Sequence, residues 1–226
     1  MMERFKRIQA LLGDTAMEKL QKATVMVVGC GAVGSFAIEA LARSGVGHIV
    51  LIDFDTVEES NINRQLFALN STVGMAKVDV AAARIRDINP NADVVAINAF
   101  FDENTDINVH PDFVIDAIDT IDSKIALYRW CVARDVPFVA SMGAALKTDV
   151  SQIHTGHIYK TTVCPLAARV RKMARAEKLP NFPVVFSTES PNKSAATSGR
   201  AFGSIITITG AFGLRLADVA IKTIVA

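Results

Sequence analysis

The chain has 226 residues, of which 50% are hydrophobic, so it can bury a substantial core as one large domain or two small ones. Its formal net charge of +1 argues against a general attraction to polyanions, and a nucleic-acid partner would need a local basic patch. Three scattered cysteines and a charged start without an apolar signal region argue against a secreted disulfide framework and predict a cytoplasmic protein.

Short runs rich in Val and Ile alternate with helical patterns through the first two thirds of the chain. This alternation is typical of right-handed crossovers and a mainly parallel sheet, so we predict a Rossmann-like, three-layer α/β domain. The predicted strands lie at about 24 to 29, 48 to 53, 92 to 97, 112 to 117 and 136 to 141, and the predicted helices at about 33 to 44, 76 to 88 and 122 to 134.

Beyond residue 143 the pattern changes to a smaller C-terminal α/β part. A strand is expected at about 149 to 155, a helix from Pro165 to Lys178, and a short strand around Val185. Residues 187 to 204 are rich in Ser, Thr, Asn, Gly and Pro, which indicates a mobile loop.

The C-terminal stretch is apolar, and from Ala201 to Leu214 it contains no charge. A membrane-spanning helix needs ~20 mostly apolar residues, whereas shorter runs are more often buried core. We therefore expect this stretch to pack back on the sheet, and we expect no stable membrane insertion.

A glycine-rich turn follows the first predicted strand. Gly29, Gly31 and Gly34 match G-x-G-x-x-G, which permits a tight turn, close approach of a phosphate to backbone N–H groups, and close helix packing. Asp53 ends the second strand about 20 residues later, where it could accept from ribose hydroxyls. Glycines kept for turn geometry alone are the alternative. The motif predicts a nucleotide site without separating NAD from ATP.

The residues after the second and fourth strands favour a triphosphate. Arg64 could clamp phosphate oxygens, and Lys77 could act as a point charge near the leaving pyrophosphate. Asp119 ends the stretch D-A-I-D at the carboxyl edge of the predicted sheet, where it could hold Mg²⁺. A dehydrogenase has little use for these extra cations. Singly, each residue could be structural, but their convergence on one edge predicts ATP binding.

With these residues the sequence resembles, over at least residues 4 to 143, the family of ATP-dependent carboxylate adenylators that includes ubiquitin-activating enzymes and bacterial activators of sulfur-carrier proteins. The resemblance implies ATP and Mg²⁺, and a homodimer in which an N-terminal arginine, here Arg4 or Arg7, enters the neighbouring site. The predicted catalytic residues are Arg64, Lys77, Asp119 and Arg7; the predicted cofactor-binding residues are Gly29, Gly31, Gly34, Asp53, Asp55, Asn61 and Gln65; and Asp119 is the predicted metal ligand.

Many of these activators hold a structural zinc through two C-x-x-C pairs, and this chain has no such pair. We therefore expect no structural zinc, and His154 and His157 would point to opposite faces of a strand. Residues 141 to 144, 159 to 172 and 184 to 191 resemble a narrower branch, the tRNA threonylcarbamoyladenosine dehydratases. This resemblance implies adenylation of the free carboxylate of the modified adenosine at position 37 of tRNA, followed by a cyclising dehydration.

The same resemblance predicts a single adenylating domain over 1–226, with an ATP-binding part at 1–143 and a substrate-side extension at 144–226. A local excess of positive charge between residues 160 and 178 is either a solvated face or a contact for the tRNA backbone. Cys164 stands at a predicted helix start, where a thiolate would be stabilised, but core packing is favoured because ring closure needs no thiol. The predicted tRNA-binding residues are Lys160, Arg169, Arg171, Lys172 and Arg175.

Three other functions stay open. The chain could adenylate the C-terminal carboxylate of a ubiquitin-like sulfur-carrier protein, although the missing zinc cysteines and the basic helix count against this. It could be a nucleotide-binding tRNA adaptor without catalysis, although Lys77 and Asp119 argue otherwise. It could be a dehydrogenase if NAD binds and ATP does not.

Overall fold

Seven strands of the computed structural model, which describes residues 3–105, 107–192 and 202–226, form one sheet. The strands are β1 Thr24–Val28, β2 His48–Asp53, β3 Asp93–Asn98, β4 Phe113–Asp116, β5 Phe138–Ser141, β6 Ile153–His157 and β7 Pro183–Ser187. Their order across the sheet is β3-β2-β1-β4-β5-β7-β6. Every neighbouring pair is parallel except β6 with β7, so the predicted mainly parallel α/β fold is confirmed.

Helices cover both faces of this sheet. The helices in the described ranges are α1 Lys6–Leu12, α2 Asp14–Lys22, α3 Gly34–Arg43, α4 Lys77–Ile88, α5 Ile121–Ala133, α6 Pro165–Ala176 and α7 Ile206–Val225. One hydrophobic cluster joins one face of the sheet to α2, α3, α4 and α7, and a second joins the opposite face to α5 and α6. Because the central strands are covered on both sides, β1 is an almost unbroken apolar run.

The start of the predicted strand at 149 to 155 is wrong. Residues Val150–Gln152 form a 3-10 turn, and β6 begins only at Ile153. The Asp149 carboxylate accepts from the backbone N–H of Ser151 at 2.9 Å and from its hydroxyl at 2.6 Å. This local side-chain bonding favours a turn over an extended strand.

The apolar C-terminal stretch forms α7, which packs against α3 and the sheet, as predicted. Gly213 permits this approach, since a Cβ there would lie 2.3 Å from the Val33 carbonyl oxygen. Within the described residues, no helix combines the length and the hydropathy that crossing a membrane would require. Half of the loop predicted at 187 to 204, namely 193–201, lies outside the described residues.

Candidate nucleotide-binding and active site

A cleft of about 870 Å³ opens at the carboxyl ends of β1, β2, β4 and β5. The sheet order reverses between β1 and β4, and open α/β sheets bind ligands at such a point. One end of the cleft is the glycine turn after β1, and the other end is formed by residues of the C-terminal part around the start of α6. Its size lies near the upper end of the range for small-molecule sites, so it can hold a nucleotide together with part of a second ligand.

The three glycines of the turn differ in what they do. Gly29 has φ +97°, and a Cβ there would lie 2.6 Å from the Ala117 carbonyl oxygen. A Cβ on Gly34 would lie 1.7 Å from the Gly29 carbonyl oxygen. A Cβ on Gly31 would have the Gln65 Nε2 as its nearest neighbour, at an ordinary contact distance of 3.7 Å. The fold therefore requires Gly29 and Gly34, whereas the space beside Gly31 is open to a ligand.

The turn also presents unused hydrogen-bond donors. The backbone N–H groups of Gly31, Ala32 and Val33 have no acceptor among the residues that the structure describes, and all three residues line the cleft. They directly precede α3, so the positive end of that helix adds to the field at the same place. Free N–H groups at a helix start bind phosphate oxygens.

Asp53 holds the turn and the following loop together. Its carboxylate accepts from the N–H of Cys30 at 2.6 Å and from the N–H of Asp55 at 2.9 Å. The side chain lines the cleft, and each oxygen retains a second lone pair with which it can accept from a ribose hydroxyl. Burial and the Asp53 carboxylate raise the pKa of the Cys30 thiol well above its ordinary value, so Cys30 stays a neutral core thiol.

Two cations are held at the same cleft. The Lys77 Nζ is paired with the Asp55 carboxylate at 2.6 Å, and the lysine side chain is only 9% exposed. The Arg64 Nη1 donates to the Ser60 carbonyl oxygen and to the Asn63 Oδ1, both at 2.8 Å. These bonds fix both positive groups in place before a ligand arrives, and preorganised charges of this kind stabilise charge that develops in a reaction.

The remaining predicted nucleotide ligands divide into two groups. Asp119 is exposed, lines the cleft and has no partner among the described residues. Gln65 also lines the cleft. Asn61, which was expected to contact the nucleotide, does not line it. Its Oδ1 instead accepts from the Glu58 N–H at 3.1 Å and closes the 3-10 turn that precedes Arg64, because the side chain satisfies the start of that turn.

The two N-terminal arginines are in different situations. The Arg4 guanidinium donates to the carbonyl oxygen of Ile88 at 2.6 Å, at the end of α4, and so stabilises the fold of its own chain. Arg7 is exposed on α1 and forms no ion pair or hydrogen bond with the described part of the chain. It does not line the cleft of its own chain.

The predicted basic cluster is divided by the structure. Arg169 lines the cleft, whereas Lys172 is exposed outside it. Arg175 lies over the Tyr159 ring at 5.3 Å from the ring centroid, and Lys160 is exposed. Arg171 is half-buried and donates to the Thr161 carbonyl oxygen at 2.8 Å and to its hydroxyl at 2.6 Å. These bonds use Arg171 to secure the turn before α6, and its predicted contact with tRNA stays a prediction.

Cys164 is the residue that directly precedes α6, and it lines the cleft while being only 2% exposed. Its thiol packs near Gly143, where a Cβ would lie 3.3 Å from the sulfur atom. Cys131 is buried in α5, and burial raises the pKa of its thiol well above the ordinary value.

The sequence reasoning missed a buried charged group beneath the cleft. Lys124, which is fully buried, donates to the Asp116 carboxylate at 2.7 Å and to the Ser141 carbonyl oxygen at 2.8 Å. The Tyr128 hydroxyl donates to the same carboxylate, and burial together with that negative charge raises the pKa of Tyr128. The group ties α5 to the ends of β4 and β5. A lysine within an apolar helix face, eight residues after a strand aspartate, was the available signal.

Ser123 is a second residue that the sequence gave no reason to select. Its hydroxyl is buried and has no hydrogen-bond partner among the described residues. The residue lines both the main cleft and an adjoining cavity of about 330 Å³. Buried hydroxyls without a partner are uncommon in folded proteins and call for an explanation.

The cleft lies where the strand order reverses, and it brings together unused backbone N–H groups and the cations Arg64 and Lys77. These features define a nucleotide-binding α/β protein with a phosphate-binding turn. Residues 5–226 match the ThiF family, and the chain belongs to that family. The predicted resemblance to carboxylate adenylators is confirmed at this level.

Three individual proteins illustrate how similar this chain is to characterised relatives. The tRNA threonylcarbamoyladenosine dehydratase of Bacillus subtilis is 48% identical over 195 residues, covering 84% of this chain and 77% of that protein. The crystal structure of the Escherichia coli tRNA N6-threonylcarbamoyladenosine dehydratase in complex with ATP has a TM-score of 0.91 at 36% identity, covering 98% of this chain and 93% of that chain. A molybdopterin-synthase adenylyltransferase of Haemophilus influenzae is 37% identical over 134 residues, covering 58% of this chain and 54% of that protein.

Proposed function

We propose that the protein uses ATP to adenylate the carboxylate of N6-threonylcarbamoyladenosine in tRNA and then closes the side chain into a ring with loss of water. The main support is the cleft, in which the open space beside Gly31 and three unused N–H groups face the same volume as Arg64, Lys77 and Asp119. The dehydratases of B. subtilis and E. coli, which are similar over most of the chain, support the choice of substrate.

In the first step, a carboxylate oxygen attacks the α-phosphorus of ATP. The bond from that phosphorus to the α,β-bridging oxygen breaks, and pyrophosphate leaves with the electron pair. The N–H groups of residues 31–33 hold the phosphates, Asp53 orients the ribose, and Arg64 and Lys77 offset the charge that develops on the phosphoryl oxygens. The products are an acyl-adenylate and pyrophosphate.

In the second step, a nitrogen or oxygen of the same ureido group attacks the activated carbonyl carbon. The bond from that carbon to the AMP oxygen breaks, AMP leaves, and the ureido group loses a proton. This attack is intramolecular, so holding the side chain bent supplies most of the acceleration. No protein nucleophile is needed, in agreement with the buried position of Cys164.

Asp119 is the residue that we propose for magnesium. No group of three or more His, Cys, Asp or Glu side chains gathers into a metal site within residues 3–105, 107–192 and 202–226. Mg²⁺ commonly binds through one or two carboxylates together with substrate phosphates, and the exposed Asp119 carboxylate in the cleft suits that arrangement. Bound there, the ion would neutralise phosphate charge.

We further propose that the protein acts in the cytoplasm as a homodimer, in which Arg7 reaches the cleft of the neighbouring subunit. Arg7 is the better candidate because Arg4 is engaged with the end of α4, whereas Arg7 has no partner in the described part of its own chain. We also propose that 1–226 works as one adenylating domain, with 144–226 on the substrate side. Strands β6 and β7 continue the same sheet, which supports this view.

A sulfur-carrier protein is the competing acceptor. The relative that is named a molybdopterin-synthase adenylyltransferase is similar over 58% of this chain, whereas the dehydratases of B. subtilis and E. coli are similar over 84% or more. Because the similarity to the dehydratases extends over more of the chain, it favours tRNA as the acceptor. The exposed basic residues of α6 are available for an RNA contact.

The decisive test measures exchange of labelled pyrophosphate into ATP and the mass of the nucleosides released from tRNA. We expect exchange only with threonylcarbamoylated tRNA, and a product lighter by one water. Unmodified tRNA and a carrier protein ending in Gly-Gly are the matched controls. Exchange supported by the carrier protein and not by modified tRNA would replace the proposal with its competitor.

A further inference from the structure

The part of the cleft wall that α6 forms has no role in binding ATP under the proposed function, on which the present inference rests. Leu166, Arg169 and Met173 line it at spacings of three and four residues, so one face of α6 looks into the cleft. The glycine turn and Asp53 lie at the opposite, Rossmann-like end. A second ligand that extends from the glycine turn toward the β5 side of the cleft would therefore contact this face, because Gly143, just after β5, packs against Cys164 and Leu166.

The cations that line the cleft differ in whether an acceptor in the described residues already holds them. Lys77 is paired with Asp55, and Arg64 is bound to a carbonyl oxygen and an amide oxygen. The Lys147 Nζ is 2.9 Å from the Glu189 carbonyl oxygen, and the residue is 3% exposed. Arg169 is exposed, and no acceptor within the described ranges pairs with its guanidinium. Among the described residues it is thus the lining cation without a partner.

We propose that Arg169 binds the substrate's free carboxylate and so selects modified over unmodified tRNA. A guanidinium offers two parallel N–H donors that match the two oxygens of a carboxylate. The substrate must bring that negative group close to the ATP phosphates, and a cation on the wall opposite the turn offsets the repulsion. Leu166 and Met173 flank Arg169 with apolar surface that suits the less polar parts of the modified nucleoside.

This assignment differs from a contact with the RNA backbone in a measurable way. A residue that binds phosphate weakens modified and unmodified tRNA alike and lowers the salt dependence of binding. A residue that binds the carboxylate weakens only the modified tRNA. Lys172 is the matched control, because it is an exposed cation of the same helix that does not line the cleft.

The experiment measures equilibrium binding of modified and unmodified tRNA in the presence of the α,β-methylene analogue of ATP, which cannot transfer AMP to the substrate because a CH₂ group replaces the α,β-bridging oxygen. We expect the unaltered protein to prefer modified tRNA by about tenfold. R169A should reduce that ratio to about one while affinity for unmodified tRNA changes less than about threefold. R169K, which keeps the charge but not the fork, should give an intermediate ratio, and K172A should leave the ratio unchanged.

A preserved preference for modified tRNA in folded R169A would overturn this inference, and an equal loss with both tRNAs would make Arg169 a backbone contact instead. Both results leave adenylation by the unaltered protein intact. A failure of the proposed function is different, because the unaltered protein would then show neither the preference nor pyrophosphate exchange, and the inference would be overturned with it.

Discussion

The Gly31→Ala substitution tests whether a glycine at this position is needed for ligand binding rather than for folding. The added Cβ would meet the Gln65 Nε2 at 3.7 Å and the Gln65 Cδ at 4.0 Å, which are ordinary contacts, and the backbone at this position is outside the left-handed region. Replacing glycine by alanine at a compatible position stabilises a protein by about 0.4–1 kcal/mol through the unfolded state. The folded protein should therefore melt at the same temperature or slightly higher.

Binding of ATP should respond in the opposite direction. Under the proposed function, the methyl group would occupy space that a phosphate needs in order to reach the N–H groups of residues 31–33. Losing one charge-assisted hydrogen bond of about 1.5–3 kcal/mol raises Kd about tenfold or more. Isothermal titration with ATP and thermal unfolding of the same preparation measure both effects.

Gly34→Ala is the contrasting variant. Its Cβ would lie 1.7 Å from the Gly29 carbonyl oxygen, so the turn itself must shift and the melting temperature should fall. Unchanged ATP affinity in a fully folded Gly31→Ala protein would refute the reasoning, because the open space beside Gly31 would then not be the phosphate site.

Three further outcomes are expected. Lys77→Met keeps most of the buried side-chain volume but removes the charge that pairs with Asp55. Pyrophosphate exchange should therefore fall by about 100-fold or more at unchanged stability. Unchanged exchange would show that Lys77 takes no part in the reaction. Ser123→Ala removes a buried hydroxyl that has no hydrogen-bond partner in the described part of the chain, so the free energy of unfolding, measured in urea, should rise by about 1 kcal/mol. A decrease in the free energy of unfolding would mean that the hydroxyl has a hydrogen-bond partner in solution. Burial alone would raise the pKa of Glu39, but hydrogen bonds from Arg84 and Arg43 hold it below its ordinary value of 4.5, so Glu39→Gln should lower the melting temperature at pH 7. That difference should shrink as pH falls below 4.5 and the native carboxylate becomes protonated, and a difference independent of pH would contradict the assignment.

Much of the sheet was predictable, because buried parallel strands are continuous apolar runs and their crossover helices show a regular apolar face. The glycine turn and Asp53 were predictable for a related reason, since their positions follow from the order of strand, turn, helix and strand. Both kinds of signal are local in sequence, and both depend on spacing alone.

Features that depend on individual side-chain bonds could not be predicted. Asn61 and Arg171 have suitable chemistry for ligands, yet each is used by a nearby turn, and spacing does not reveal which use prevails. The Lys124–Asp116 pair joins a helix to a strand, and a lysine on an apolar helix face was a sequence signal that did not name its partner until α5 was placed on the sheet. The selection of Arg169 from its basic neighbours likewise required the direction of each side chain.

The close contact between α7 and α3 has a consequence for folding during synthesis on the ribosome. Gly213 lies against the carbonyl group of Val33, at the phosphate-binding turn, and Gly210 lies against Phe36 in the first turn of α3. The ribosome synthesises the glycine turn early and α7 much later. The turn therefore lacks its contact with α7 while the intervening segments are being made. Competence to bind ATP should therefore be acquired late in translation, and premature termination before α7 should yield a polypeptide that cannot retain the nucleotide.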